Sequence, residues 1–270
     1  PAILISHGSH VSHSGEIAEK EWNEHARTMF VTHYPFVAVQ TQWAERFLKA
    51  QTELISKPLI TGPLIFAQKS RLHDTKKAMR AKIFEKHSNK KILLHAGTPK
   101  RWRAFRPWVY ETVEEYIKNI NHLIIAVQQV RGVHLAIRYR SNKNLTTANL
   151  RQLLINSDCY EIYDSGAFNE HLLAADMLVS YSSTTIEEAL KNKIPVLQFD
   201  PDAKYWHIPS ADNQSEEFLE LTEIQCASTP KELTKILKLL SAGKKKKMYN
   251  DRNSPHTLNE RKSWRRKLCV

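Results

Sequence analysis

The chain has 270 residues, room for one large domain or two smaller ones, and its 41% apolar and 25% charged content is ordinary for a globular protein. No apolar run approaches the roughly 18 residues of a membrane-spanning helix. The formal charge of +12 is lopsided: from Lys231 to Val270 there are 13 Lys/Arg against three acids, so the rest of the chain is nearly neutral and a basic nucleic-acid surface spread over the fold is excluded.

The chain opens inside an apolar run, Pro1–Ile5, with no polar lead-in, and reads as a segment beginning part-way through a protein. Ala2–Ser6 is the first expected strand, followed by Phe36–Gln40, a helix over Gln42–Ala50 and a third strand over Pro58–Thr61. A basic helix is expected over Thr75–Lys86. Ile92–His95 begins a second set of strands, with Val133–Arg138, Tyr160–Tyr163, Met177–Ser180 and Val196–Phe199. Most of these runs are short, continuous and aliphatic, as in parallel strands covered on both faces. Gly8, Gly62, Gly97 and Gly132 flank such runs.

Helices fall between the strands. The longest is expected over Pro107–Val130, where Val109, Val113, Ile117, Ile120, Ile124 and Val127 keep a helical period, with Pro107 in the first turn and Gly132 at the exit. Others are expected over Thr147–Ile155, Asn169–Ala174, Thr185–Asn192, Ser215–Leu221 and Lys231–Leu240. Alternating strands and helices give an α/β class with doubly wound, Rossmann-like parallel sheets. The expected division is an incomplete first domain over 1–63, a linker and helix over 64–89, a second domain over 90–240 and a basic tail over 241–270.

Five segments carry chemistry. In Leu178-Val-Ser-Tyr-Ser-Ser-Thr-Thr-Ile-Glu-Glu-Ala-Leu190 an apolar strand ends in the hydroxyls Ser182, Ser183, Thr184 and Thr185, which open a helix. A helix N-terminus presents unpaired N–H groups and about half a positive charge, which suits phosphate. Glu187 and Glu188 in the first turn suit ribose hydroxyls. A plain cap needs only one hydroxyl. In Leu93-Leu-His-Ala-Gly-Thr-Pro-Lys-Arg-Trp-Arg103 a strand runs through a glycine turn into Lys100, where a cation would neutralise a phosphate leaving group without a metal; the alternative is an exposed basic loop. Arg138 and Arg140 follow the next strand and offer planar forks for phosphate or carboxylate; the alternative is surface charge at a sheet edge.

The remaining two are weaker signals. His7 precedes Gly8 at a strand end, where an imidazole can act as general base on an acceptor hydroxyl, with Glu16 a second candidate; the alternative is a structural histidine. Tyr163-Asp-Ser-Gly-Ala-Phe168 offers Gly166 for backbone contact with a base and Phe168 for stacking or for stapling the next helix. Cys159, Cys226 and Cys269 are widely spaced and odd in number, which fits a reducing compartment. His7, His10 and His13 have the spacing of a loop, so neither a metal nor a cofactor is expected.

Taken in order, these segments resemble the GT-B glycosyltransferases. They look most like the bacterial surface-polysaccharide enzymes related to the CDP-glycerol glycerophosphotransferases of teichoic-acid synthesis and to capsule-type Kdo and sialic-acid transferases. The residues that carry the resemblance are His7-Gly8, Leu59-Ile-Thr-Gly-Pro63, Ala96-Gly-Thr-Pro-Lys-Arg-Trp102, the Ala175–Leu190 segment and Lys193-Ile-Pro-Val196. The resemblance implies two Rossmann-like domains facing a cleft, the first incomplete here, with the donor nucleotide held by the second and His7 as the base.

Teichoic-acid enzymes carry an Arg-x-His-Pro sequence where this chain has Arg138-Tyr-Arg140, which leaves room for CMP-, CDP- or UDP-linked donors. The implied partners are a nucleotide-activated sugar and a polysaccharide or lipid-linked acceptor; nucleic acid is not among them. The implied location is cytoplasmic, peripheral at the inner face of the plasma membrane. There the basic tail would meet anionic lipid, at roughly 1 kcal/mol per basic residue near the headgroups; the alternative is a solvated tail. A polyol-phosphate transferase, a nucleotide-sugar epimerase of the same architecture and a non-catalytic binding domain are the alternatives.

Overall fold

A computed structural model describes residues 2–5, 20, 23–24, 26–27, 29–51, 55–62, 64–67, 74–97, 112–141, 143, 145–180, 183–201 and 224–243. They fall into two compact units, each built on its own parallel sheet.

The first unit carries β1 (Ile3–Leu4), β2 (Phe36–Val39) and β3 (Lys57–Ile60) in that spatial order, all parallel. Helix α1 (Gln42–Lys49) follows β2 after Thr41, whose hydroxyl accepts the Ala44 N–H at 3.2 Å and so satisfies one of the orphan donors of the first turn. Its apolar side packs inward: Trp43 stacks on Phe47 with centroids 5.2 Å apart, and Phe30 meets Phe47 at 6.1 Å. Gly62, after β3, has φ +67°, the left-handed region that favours glycine.

The second unit has six parallel strands: β4 (Lys91–Ala96), β5 (Val133–Arg138), β6 (Tyr160–Tyr163), β7 (Met177–Val179), β8 (Val196–Phe199) and β9 (Ile224–Ala227). Their spatial order is β6-β5-β4-β7-β8-β9. The first three strands wind one way from β4 and the last three the other, which is the doubly wound order with a switch point between β4 and β7.

The central strands are covered on both faces, which is why they read as aliphatic runs: Ile92, Leu93 and Leu94 of β4 are all fully buried. On one face lie α3 (Val113–Gln128) and α7 (Pro230–Ser241), packed on each other over Leu93, Val133, Leu135, Ile137, Met177 and Leu197. Helix α2 (Asp74–Ile83) and helix α5 (Phe168–Ala174) pack together. The alternation along β5 turns His134, Ala136 and Arg138 away from the α3 side. Helix α4 (Thr147–Leu153) and helix α6 (Thr185–Lys191) complete the crossovers.

Several boundaries differ from the sequence expectation. The long helix begins at Val113 rather than Pro107, because Thr112 is extended and caps it: its hydroxyl accepts the Glu115 N–H, and the Glu115 carboxylate accepts the Thr112 N–H. It ends at Gln128, ahead of Gly132, which sits in the following turn at φ +80°. The helix expected over 75–86 stops at Ile83, and Glu85–His87 forms a separate 3-10 turn. Strand β9 was not anticipated, since Ile-Gln-Cys-Ala lacks an aliphatic run; its burial comes from the strand and helix beside it. The helix expected over 215–221 lies outside the described residues. Among those residues no helix is long and apolar enough to cross a membrane.

Candidate functional site

In an open, doubly wound sheet, ligands bind outside the carboxyl ends of the strands at the switch point. Here that point is formed by the ends of β4 and β7, which run side by side in register through His95 and Val179.

At the β4 end, Gly97 donates its N–H to the Arg138 carbonyl at 2.7 Å. A Cβ there would lie 2.5 Å from that oxygen and 3.0 Å from the Tyr139 Cα. Only glycine lets the two backbones approach this closely, so the residue that the sequence marks as a turn is fixed by contact rather than by a left-handed φ.

At the β7 end, Ser180 donates its N–H to the Leu197 carbonyl. The Ser183 hydroxyl accepts the Thr185 N–H at 3.2 Å and its carbonyl accepts the Ile186 N–H at 3.0 Å. Thr184 occupies the cap position in helical conformation, and its side chain makes no capping bond. The Thr185 Oγ1 is buried and has no hydrogen-bond partner among the described residues. Capping therefore uses one of these three hydroxyls, Ser183. A buried hydroxyl without a partner costs about 1–3 kcal/mol, which a ligand oxygen at the same spot would offset.

The two acidic residues of the first turn differ. Glu187 is only 2% exposed, whereas Glu188 is half-buried and its carbonyl accepts the Asn192 side-chain amide at 2.9 Å.

Arg138 and Arg140 also differ. The Arg138 fork is engaged by backbone: Nη1 donates to the carbonyls of Tyr139 (3.0 Å) and Tyr163 (2.9 Å), and Nη2 to that of Gly166 (2.7 Å). Burial lowers its pKa from the ordinary value, as does Arg140, while Asp164 opposes them. Arg140 lies beyond the strand and is exposed.

Gly166, at φ +81°, receives Arg138, and a Cβ there would meet the His171 ring at 3.0 Å. Phe168 opens α5, half-buried. The structure thus joins Gly97, Arg138 and Gly166 into one backbone-linked edge. His7, Glu16, Lys100 and Ser182, with the basic tail from 244 on, lie outside the described residues.

One polar group behind this edge holds the unit together. Asp176, just before β7, is buried and accepts the Ile92 N–H (2.9 Å), Arg80 Nη1 (2.7 Å) and Lys76 Nζ (3.1 Å). Burial alone would raise its pKa; the Lys76 charge, the Ile92 N–H and Arg80 outweigh that and hold it below the usual value. It ties α2 to the starts of β4 and β7. Its signal in the sequence is an acid directly ahead of an apolar strand, which names no partner.

No protein-family model and no curated protein matches the chain. Among solved structures it is similar to Anabaena Alr3699/HepE in complex with UDP and glucose, at 16% identity and a TM-score of 0.49, over 92% of this chain and 69% of that one. It is similar to the wall teichoic acid polymerase TagF, H548A form, at 14% identity and 0.45, over 93% and 56%. It is similar to S. aureus MnaA with UDP, at 14% identity and 0.45, over 85% and 59%. The chain thus spans between just over half and about seven-tenths of these proteins.

Proposed function

We propose that this chain carries the donor-binding part of a metal-independent GT-B glycosyltransferase. It would move a sugar from a CMP-, CDP- or UDP-linked donor to a bacterial surface polysaccharide or its lipid-linked precursor. Residues 90–240 form the donor domain in this reading. The observation that carries it is the hydroxyl turn Ser183–Thr185 after β7 at the switch point, with a Thr184 side chain that does not cap and a buried Thr185 Oγ1 without a described partner.

Donor phosphate oxygens would accept hydrogen bonds from these hydroxyls and from the N–H groups of the α6 start. Lys100 and Arg140 would add positive charge as the leaving phosphate takes up the electron pair of its bond to the sugar. Glu188 would accept from the ribose hydroxyls. His7 would take the acceptor hydroxyl proton as that oxygen forms its bond to the anomeric carbon. The resemblance of His7-Gly8 and the Ala175–Leu190 segment to surface-polysaccharide transferases supports the roles given to His7 and to the hydroxyl turn.

The test is thermal unfolding with CMP, CDP, UDP and GDP. A ligand at 100 times its Kd adds about 2.7 kcal/mol, which raises Tm by about 5 °C or more in a unit of this size. Thr185→Val, which keeps the shape and removes the hydroxyl, is expected to shrink that shift. Absence of a shift with all four nucleotides would overturn the reading.

A further inference from the structure

The opposite end of the second sheet holds a cluster that the donor site does not use. His134, at the start of β5, is 0% exposed, and neither ring nitrogen has a hydrogen-bond partner among the described residues. His87, from the 3-10 turn ahead of β4, stacks on it with ring centroids 3.6 Å apart and planes within 14° of parallel. Glu161, on the neighbouring strand β6, brings its Oε2 to 3.6 Å from His87 Nε2. The Tyr163 hydroxyl donates to the same oxygen at 2.6 Å and holds the carboxylate.

One ligand atom from each of His87, His134 and Glu161 can be chosen so that all three lie within 4.8 Å of one another. A buried polar group without a partner is rare in a folded protein and calls for an explanation such as an ion. Two stacked imidazoles cannot satisfy each other, because stacking directs no N–H at a lone pair. An ion at the shared edge of the two rings can, given a tilt of one ring that turns both lone pairs toward a common point.

We propose that His87, His134 and Glu161 form a three-ligand site for a divalent late transition metal, zinc foremost. Two imidazoles and one carboxylate suit zinc and its neighbours, whereas calcium and magnesium favour oxygen ligands alone. The Tyr163 hydrogen bond supplies the outer support that a ligating carboxylate usually has. His134 is sealed, but the His87 and Glu161 side chains keep 14% and 42% of their surface exposed, which gives the ion a path in and leaves a coordination position facing solvent. Lys90 and Asp158 contribute opposing charges nearby. The ligands come from the turn before β4 and from the two outermost strands on that side, so the ion would clip this edge of the sheet. The site is independent of the donor reading, since it sits at the amino ends of the strands.

The experiment uses tag-free full chain stripped with EDTA, titrated with Zn2+ by calorimetry and with Co2+ by visible absorption. One Zn2+ per chain, with the intense Co2+ bands of a four-coordinate site, is expected. His87→Asn and Glu161→Gln, both at part-exposed ligands, are expected to weaken the affinity at least tenfold while the far-ultraviolet circular dichroism stays unchanged. A His134 variant is avoided, since loss of a sealed side chain could unfold the sheet. Failure to bind one ion, or binding that survives both substitutions at full strength, would overturn the proposal.

Discussion

Arg138 is the residue at which a structural and a ligand-binding role separate most cleanly. Its guanidinium donates to the carbonyls of Tyr139, Tyr163 and Gly166, and a fork used this way can reach a phosphate only by releasing them. Arg138→Ala removes three charge-assisted bonds, each worth about 1.5–3 kcal/mol at full strength. The net loss is smaller. The Tyr163 carbonyl keeps the Tyr139 N–H as a second donor at 2.9 Å, and the bond to Gly166 lies at the surface, where water replaces it. About 2 kcal/mol is therefore expected, or a Tm lower by roughly 4–8 °C. Arg138→Lys retains the charge but not the planar fork, and is expected to recover less than half of the loss. Urea and thermal unfolding of the ligand-free protein, followed by circular dichroism and tryptophan fluorescence, measure this. A ligand-free Tm within about 1 °C of the parent, combined with a lost nucleotide response, would refute the clamp and return Arg138 to the phosphate.

Two further predictions concern buried charge. Asp176→Asn leaves Lys76 and Arg80 beside a neutral amide and is expected to cost roughly 2–4 kcal/mol in urea unfolding at pH 7, less than a fully sealed pair because Lys76 is part-exposed. Because the folded pKa of Asp176 is depressed, its contribution is present above the ordinary carboxylate value near 3.8 and fades as pH falls through the folded value. The parent should therefore lose stability in strong acid more steeply than the variant, and parallel acid curves would refute the assignment. His171 is also depressed, chiefly by burial; the Ala167 carbonyl pulls it upward, Arg138 lowers it and Glu170 raises it. Its folded form binds protons less readily than the unfolded chain, so stability should fall as pH drops below about 6.5. His171→Gln should flatten that slope between pH 7 and 5 in EDTA-treated protein, and an unchanged slope would count against the burial argument.

What the sequence reveals depends on how far apart the interacting residues are. Val133–Arg138 and Val196–Phe199 coincide with the strands because burial on both faces writes an apolar run directly into local sequence, and the edge strand Tyr160–Tyr163 is marked instead by its two tyrosines and Ile162. The hydroxyl turn is legible for the same reason: Ser183, Thr184 and Thr185 are adjacent, and the helix they open follows at once. The start of α3 was legible too, since Thr112 and Glu115 spell a capping box; the apolar period running back to Val109 masked it. Strand β9 was not, because Gln225 and Cys226 are buried by what packs on them rather than by pattern.

The polar partnerships were beyond reach on other grounds. Arg138 meets the Gly166 carbonyl across 28 positions, and Asp176 meets Arg80 across 96. No spacing rule links such residues; the crossovers of the parallel sheet do. For the same reason His7, His10 and His13 stand out in the sequence by their closeness, while nothing in it links His87, His134 and Glu161. Parallel winding sends every strand start to one edge and every strand end to the other. A chain of this topology therefore gathers two separate sets of distant residues, one at each edge. Here the carboxyl edge has the hydroxyls and glycines that sequence motifs advertise. The amino edge has two stacked imidazoles and a carboxylate that only the winding brings together.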